Sequence, residues 1–112
     1  MSKISYAVKV DSVLIKEVRE YCMEHGVKQV YVLKILPQAQ KDLDQLHGKI
    51  FNSVKTRIIQ LANNPRPYGT IKLTNEDGYR LRAGDYRVLY RVDDKSKEVF
   101  IYRVKHRREV YR

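Results

Sequence analysis

The residues best suited to chemistry crowd into the last third of the chain. In Tyr79-Arg80-Leu81-Arg82, strand alternation sends Arg80 and Arg82 to one face and Tyr79 and Leu81 to the other. Arg87 and Arg91 follow on the next extended run, with Leu89 between them in the same alternation, and Arg103 and Lys105 share a face of the last run. Guanidinium groups present a planar fork of donors that fits phosphate, so rows of them suit a nucleic-acid backbone. Whether these rows share one face depends on strand register, which alternation leaves open. A sheet face simply open to solvent would carry the same residues. Cutting an RNA chain requires a ribose 2′-hydroxyl to lose a proton, charge on the phosphate to be neutralised, and the leaving 5′-oxygen to gain a proton. Arginine does the second job well but holds its proton too tightly for the first. His106 is of the residue type that titrates near neutral pH, and Tyr111 offers a ring to stack on a base or a hydroxyl to exchange a proton. Taken singly, His106 reads as well as a surface histidine and Tyr111 as a packing residue. Together in one basic tail they point to RNA chemistry.

The charge distribution agrees. The chain has 112 residues and a net charge of +10, of which residues 1–29 contribute +1, residues 30–77 contribute +3 and residues 78–112 contribute +6. A field of that sign concentrated in one segment attracts a polyanion. One cysteine excludes a disulfide framework and a cysteine-based zinc cluster, and fits a reducing compartment. The sequence has no Gly-rich phosphate loop, no His-Glu-x-x-His and no Cys-x-x-Cys, and its three histidines stand far apart. Asp93 and Asp94 fall in a predicted loop and read as turn residues. No apolar run approaches the roughly 18 residues of a membrane span, and charges throughout residues 1–29 argue against a signal peptide. A small cytoplasmic protein without metal, cofactor or membrane partner is expected.

The elements that must position these residues follow from spacing. Val30-Tyr-Val-Leu-Lys-Ile-Leu36 is rich in strand formers, and Pro37 suits the first turn of a helix. Ala39, Leu43 and Leu46 form one helical stripe; Ile50, Val54, Ile58 and Leu61 form a second after Gly48, closed by Asn63-Asn64-Pro65-Arg66-Pro67. A short strand over Ile71 to Thr74, a turn at 75–78, strands over Tyr79 to Ala83 and Tyr86 to Val92 about the Gly84-Asp85 turn, and a last strand over Val99 to Val104 complete an antiparallel sheet. The order predicts an α+β fold, a two-helix hairpin packed on an antiparallel sheet. Residues 105–112 are expected to be a tail.

The stretch Tyr79-Arg-Leu-Arg-Ala-Gly-Asp-Tyr-Arg-Val-Leu-Tyr90, with Val104-Lys-His-Arg-Arg-Glu-Val-Tyr111, resembles the RelE/ParE toxin superfamily, closest to its RelE branch. The resemblance covers about residues 30–112, including the helical hairpin and its Asn-Pro ending. It implies the toxin of a type II toxin–antitoxin pair, a metal-independent endoribonuclease that enters the ribosomal A site, cleaves messenger RNA by 2′-hydroxyl attack and stops translation. By the resemblance Arg80, Arg82, Arg87, His106, Arg107 and Tyr111 carry the reaction. Lys72, Arg91, Arg103, Lys105 and Arg108 are assigned to RNA binding, Lys72 on the looser match. Lys105 departs from a glycine common in the family. The implied partners are a cognate antitoxin, the ribosome and mRNA. The alternative is the ParE-like role, a DNA gyrase inhibitor without nuclease activity.

Residues 1–29 precede the usual start of that family. Residues 4–10 alternate in part as a strand; Asp11 or Ser12 can cap a helix carrying Leu14, Val18, Tyr21, Cys22 and His25 on one face, and Gly26 can stop it. This strand–helix extension resembles the opening of a ribbon-helix-helix antitoxin and implies a homodimer through residues 1–29, unless it is an ordinary extra strand and helix packed on the domain.

Overall fold

In the computed structural model the described residues are 12–110, so the strand expected over 4–10, the Asp11 cap and Tyr111 lie outside them. Helices form where the apolar spacing asks for them. Helix α1 (Ser12–His25) is followed by strand β1 (Val32–Ile35), helix α2 (Pro37–Asp44) and helix α3 (Gly48–Gln60). Pro37 opens α2, where its fixed φ is already helical and its missing N–H costs nothing. Ala39 and Leu43 of α2 and Val54 and Ile58 of α3 are buried against the sheet. There they meet Leu81, Val88, Tyr90, Val99, Ile101 and Val104. Burying side chains of this size stabilises the fold by about 1.5–3 kcal/mol each.

Four further strands follow: β2 (Ile71–Lys72), β3 (Tyr79–Ala83), β4 (Tyr86–Asp93) and β5 (Glu98–His106), then the short helix α4 (Arg107–Val110). The sheet order is β1-β5-β4-β3-β2. It is antiparallel from β2 to β5, whereas β1 joins the outer edge of β5 in parallel, with Val32 opposite Glu98 and Ile35 opposite Ile101. A parallel pair needs a long crossover, and the α2–α3 hairpin together with β2–β4 supplies it.

The ends of the strands differ from the sequence expectation. β2 is only two residues long; the Leu73 N–H still reaches the Gly78 carbonyl at 3.0 Å, in line with the same register, before the chain turns. Gly78 sits at φ 140°, and a Cβ there would stand 2.9 Å from the Tyr90 carbonyl oxygen, so no other residue fits. β5 runs two residues further than expected, to His106, and the tail enters α4 rather than remaining irregular.

Short β1 and β2 leave parts of β5 and β3 without a strand neighbour, and helix side chains take over. Asp42 of α2 accepts the Val104 N–H at 2.8 Å, and Arg57 of α3 donates from Nε to the Arg82 carbonyl at 3.2 Å. These contacts satisfy backbone groups that an open edge would leave to solvent or to another chain.

Helix α1 packs on α3. Val18 and Cys22 are buried with Ile59 and Ala62, and the Lys55 ammonium meets the Glu17 carboxylate at 2.6 Å. Among the described residues, no helix is long and apolar enough to cross a membrane, and no group of three or more acidic, histidine or cysteine side chains could hold a metal ion.

Candidate nucleic-acid interface

The register decides which arginines meet. Arg82 stands directly opposite Arg87, which stands directly opposite Lys105, so three cations form one row across β3, β4 and β5. The next row is Arg80, Leu89 and Arg103. Like charges placed opposite one another destabilise a sheet. Both rows lie on the face turned away from α2 and α3, whose partners Leu81, Val88 and Val104 occupy the other face.

The hairpin turn concentrates them further. Gly84 adopts φ 62° at the first position of the two-residue Gly84-Asp85 turn, as the mirror-image turns of tight hairpins require. Its carbonyl oxygen accepts from Arg82 Nε at 3.2 Å and from Arg87 Nη1 at 3.3 Å, and Arg87 Nη1 also reaches the Tyr86 carbonyl at 3.1 Å. One backbone oxygen thus gathers two guanidinium groups. They line an open cleft of about 640 Å³ with Arg80, Arg57, Gly69, Ile71 and Gly84.

The partners of Arg57, Arg82 and Arg87 are neutral. Arg57 donates to the Arg82 carbonyl and to Gln60 Oε1, and Arg82 and Arg87 donate to backbone carbonyls. Among the described residues no carboxylate forms an ion pair with Arg57, Arg82 or Arg87. Arg87 is only 8% exposed. Burying a charge without a counter-charge is costly, and an anion entering the cleft would supply the missing counter-charge. Such preorganised donors stabilise negative charge without reorganising when it develops.

Other predicted residues fall elsewhere. Arg103 shares the sheet face, but its Nε donates to Asp42 Oδ2 at 2.8 Å, so its charge is cancelled by α2. Burial works to raise the Asp42 pKa, but the Arg103 guanidinium and the Val104 amide outweigh it and hold the carboxyl below its usual range. Arg91 lies further along the same face, over the Tyr102 ring and donating to the Asp77 carbonyl. Lys72 pairs in register with Tyr79 and sits over that ring, on the face opposite the arginine rows. Arg107 approaches the Asp85 carboxylate at 3.9 Å, and Arg108 is exposed on α4. Tyr111 lies outside the described residues.

His106 is not brought to the arginine row. Its register partner is Tyr86, on the helix-packed face, and its ring meets Tyr86 edge-on with centroids 5.2 Å apart. It lines a separate depression with Lys49, Ile50, Ser53 and the back of the Gly84-Asp85 turn. Its Nδ1 accepts the Arg108 N–H at 3.2 Å, while its own N–H donates to Glu109 Oε1 at 3.0 Å. That reciprocal pair is a capping box with histidine as the cap, so His106 starts α4 and its Nδ1 lone pair is committed. Arg57, by contrast, escaped sequence reasoning: it lies in the middle of an amphipathic helix, and only the α3–β3 contact gives it a place in the cleft.

The chain is similar in sequence and fold to known proteins. Residues 33–111 match the family described as the ParE toxin of type II toxin–antitoxin system, parDE. The chain is 32% identical over 84 residues to Toxin RelG of Mycobacterium tuberculosis, spanning 73% of this chain and 97% of that protein. Among solved structures, the RelBE2 toxin–antitoxin complex of M. tuberculosis superposes with a TM-score of 0.61 at 32% identity, covering 68% of this chain and 96% of the matched one. The archaeal RelE–RelB complex of Pyrococcus horikoshii gives a TM-score of 0.60 at 32% identity, covering 70% and 96%. The matched family segment begins after α1.

Proposed function

The chain belongs to the RelE/ParE toxin superfamily of type II toxin–antitoxin systems, and on that premise we propose that it is a ribosome-dependent endoribonuclease that cleaves mRNA in the A site and inhibits translation. The observation that carries this reading is the pair Arg82–Arg87, gathered on one carbonyl, without a carboxylate, and backed by Lys105 on an open sheet face. In this reading a backbone phosphate settles against Arg82 and Arg87, which take up the charge that grows as the neighbouring 2′-hydroxyl attacks phosphorus. The 2′-hydroxyl proton leaves as the new P–O bond forms, and the 5′-oxygen takes up a proton as its bond to phosphorus breaks. Arginine does neither transfer well, and His106 is engaged as the cap of α4. The family resemblance places Tyr111 and Arg107 among the residues that carry the reaction, and a tyrosine can stack on a base or exchange a proton. A cognate antitoxin with acidic or apolar segments that cover this basic face is the natural partner.

The gyrase reading draws on the matched family description, which names a ParE toxin. Two assays separate them. Purified protein is incubated with programmed ribosomes, and cut mRNA is mapped by primer extension; the same preparation is added to a gyrase supercoiling reaction. The proposal expects cuts in the A-site codon that depend on ribosomes, and unimpaired supercoiling. Intact mRNA with blocked supercoiling would reverse the assignment.

A further inference from the structure

The arginine row accounts for one phosphate, but a single-stranded substrate continues in both directions, and the surroundings of the row differ in charge. Along the sheet face, Arg103 is cancelled by Asp42, and beyond it Arg91 lies beside the Glu76–Tyr102 contact and the Asp77 carbonyl. Over the hairpin turn stands Asp85 with Arg107. Across the open edge of β3 the field stays positive. There β2 has ended, the cleft passes between α3 and the backbone at Gly69, and Arg57 lines it with Ile71, which is 50% exposed. Arg57 is fixed through Nε to the Arg82 carbonyl and through Nη1 to Gln60 Oε1, leaving Nη2 without an intramolecular claim among the described residues.

We propose that Arg57 binds the RNA backbone phosphate adjacent to the one held by Arg82 and Arg87, so that the substrate strand crosses the β3 edge between α3 and residues 67–71. The inference rests on the nuclease reading for its substrate class, and it names a positioning residue rather than a group at the reacting atoms. RNA is favoured over an acidic peptide because the cleft is continuous with the Arg82–Arg87 pair and offers guanidinium donors on both sides of an apolar floor, the chemistry of phosphates flanking a base.

The test uses the full chain and an uncleavable nine-nucleotide 2′-O-methyl RNA, followed by fluorescence anisotropy across a salt series, without ribosomes. Arg57→Gln keeps a donor for the Arg82 carbonyl but removes the charge; Arg57→Lys keeps the charge. The expected result is a several-fold loss of affinity for Arg57→Gln, with the slope of log K against log salt reduced by about 0.7, the value for one phosphate contact on a single strand. Arg57→Lys retains the slope. Equal losses in both variants would reduce Arg57 to a support of the β3 edge and overturn the inference, as would unchanged binding in both, or a defect confined to an acidic antitoxin peptide. Wild-type protein that binds no RNA overturns the inference together with the nuclease reading. Wild-type protein that binds RNA but leaves ribosomal mRNA intact overturns only that reading.

Discussion

Arginine does opposite work at two corners of the same sheet. Near the β4–β5 loop, Arg66 is tied to Asp94 (Nη2 to Oδ2, 2.8 Å) and to the Tyr79 hydroxyl, and Tyr31 donates to the same carboxylate at 2.6 Å. The charge there is spent inside the molecule, where it pins the Pro65–Pro67 segment to the sheet. At the Gly84 turn, Arg82, Arg87 and Arg57 rest on carbonyl oxygens, and their charge is left for something outside. The first corner stabilises the fold; the second is costly to it. On the proposed reading, the acid that faces Arg66, and the lack of one facing Arg82 and Arg87 among the described residues, separates the two corners.

The sharpest way to break this contrast is to exchange the buried member of the cleft for an apolar side chain. Arg87→Met should lower mRNA cleavage on ribosomes by about 100- to 1,000-fold, the usual loss when a preorganised donor to a developing anion is removed. Its thermal midpoint should hold or rise, because a buried charge without a counter-ion is gone. Asp42→Ala should do the reverse. It strands the Val104 N–H and the Arg103 guanidinium, costing about 1–3 kcal/mol in denaturant unfolding, while cleavage per folded molecule stays near wild type.

Acid titration sharpens the contrast from another side. Side-chain hydrogen bonds from Arg66 and from Tyr31 hold Asp94 down at about 2 against an ordinary 3.8, and Asp42 is lowered as well. A carboxyl with a depressed folded value contributes stability that is complete above the unfolded value and lost as pH falls through the folded one. Thermal midpoints should therefore decline between about pH 4 and pH 2, and Asp94→Asn should flatten that decline. The smallest effect belongs to His106. Replacing it with alanine removes the α4 cap, for about 1 kcal/mol locally, seen as faster hydrogen exchange at the Arg108 amide with little change in the global midpoint.

Much of the fold was legible because its signals are local. The stripes Ala39–Leu43 and Val54–Ile58, the Pro37 start and the Gly84-Asp85 turn each follow from spacing a few residues long. So does the sharing of a face by Arg80 and Arg82. The rest depends on pairs far apart in the chain. Asp42 and Arg103 are separated by 61 residues, and no periodicity reveals that the acid cancels that arginine. Arg57 enters the cleft only because β2 stops early. Lys72 turned to the wrong face through the register of a two-residue strand. His106 carried a readable signal: His-Arg-Arg-Glu has the spacing of a capping box, masked by the chemistry that a histidine beside a basic tail suggests.

The central claim is that the uncancelled charge at Arg87 exists for a phosphate, not for the fold. Wild type and Arg87→Met measured side by side, for A-site cleavage and for thermal midpoint, test it most directly. The account predicts cleavage lost and stability kept or gained. Cleavage retained, or a midpoint collapsing along with activity, would contradict it.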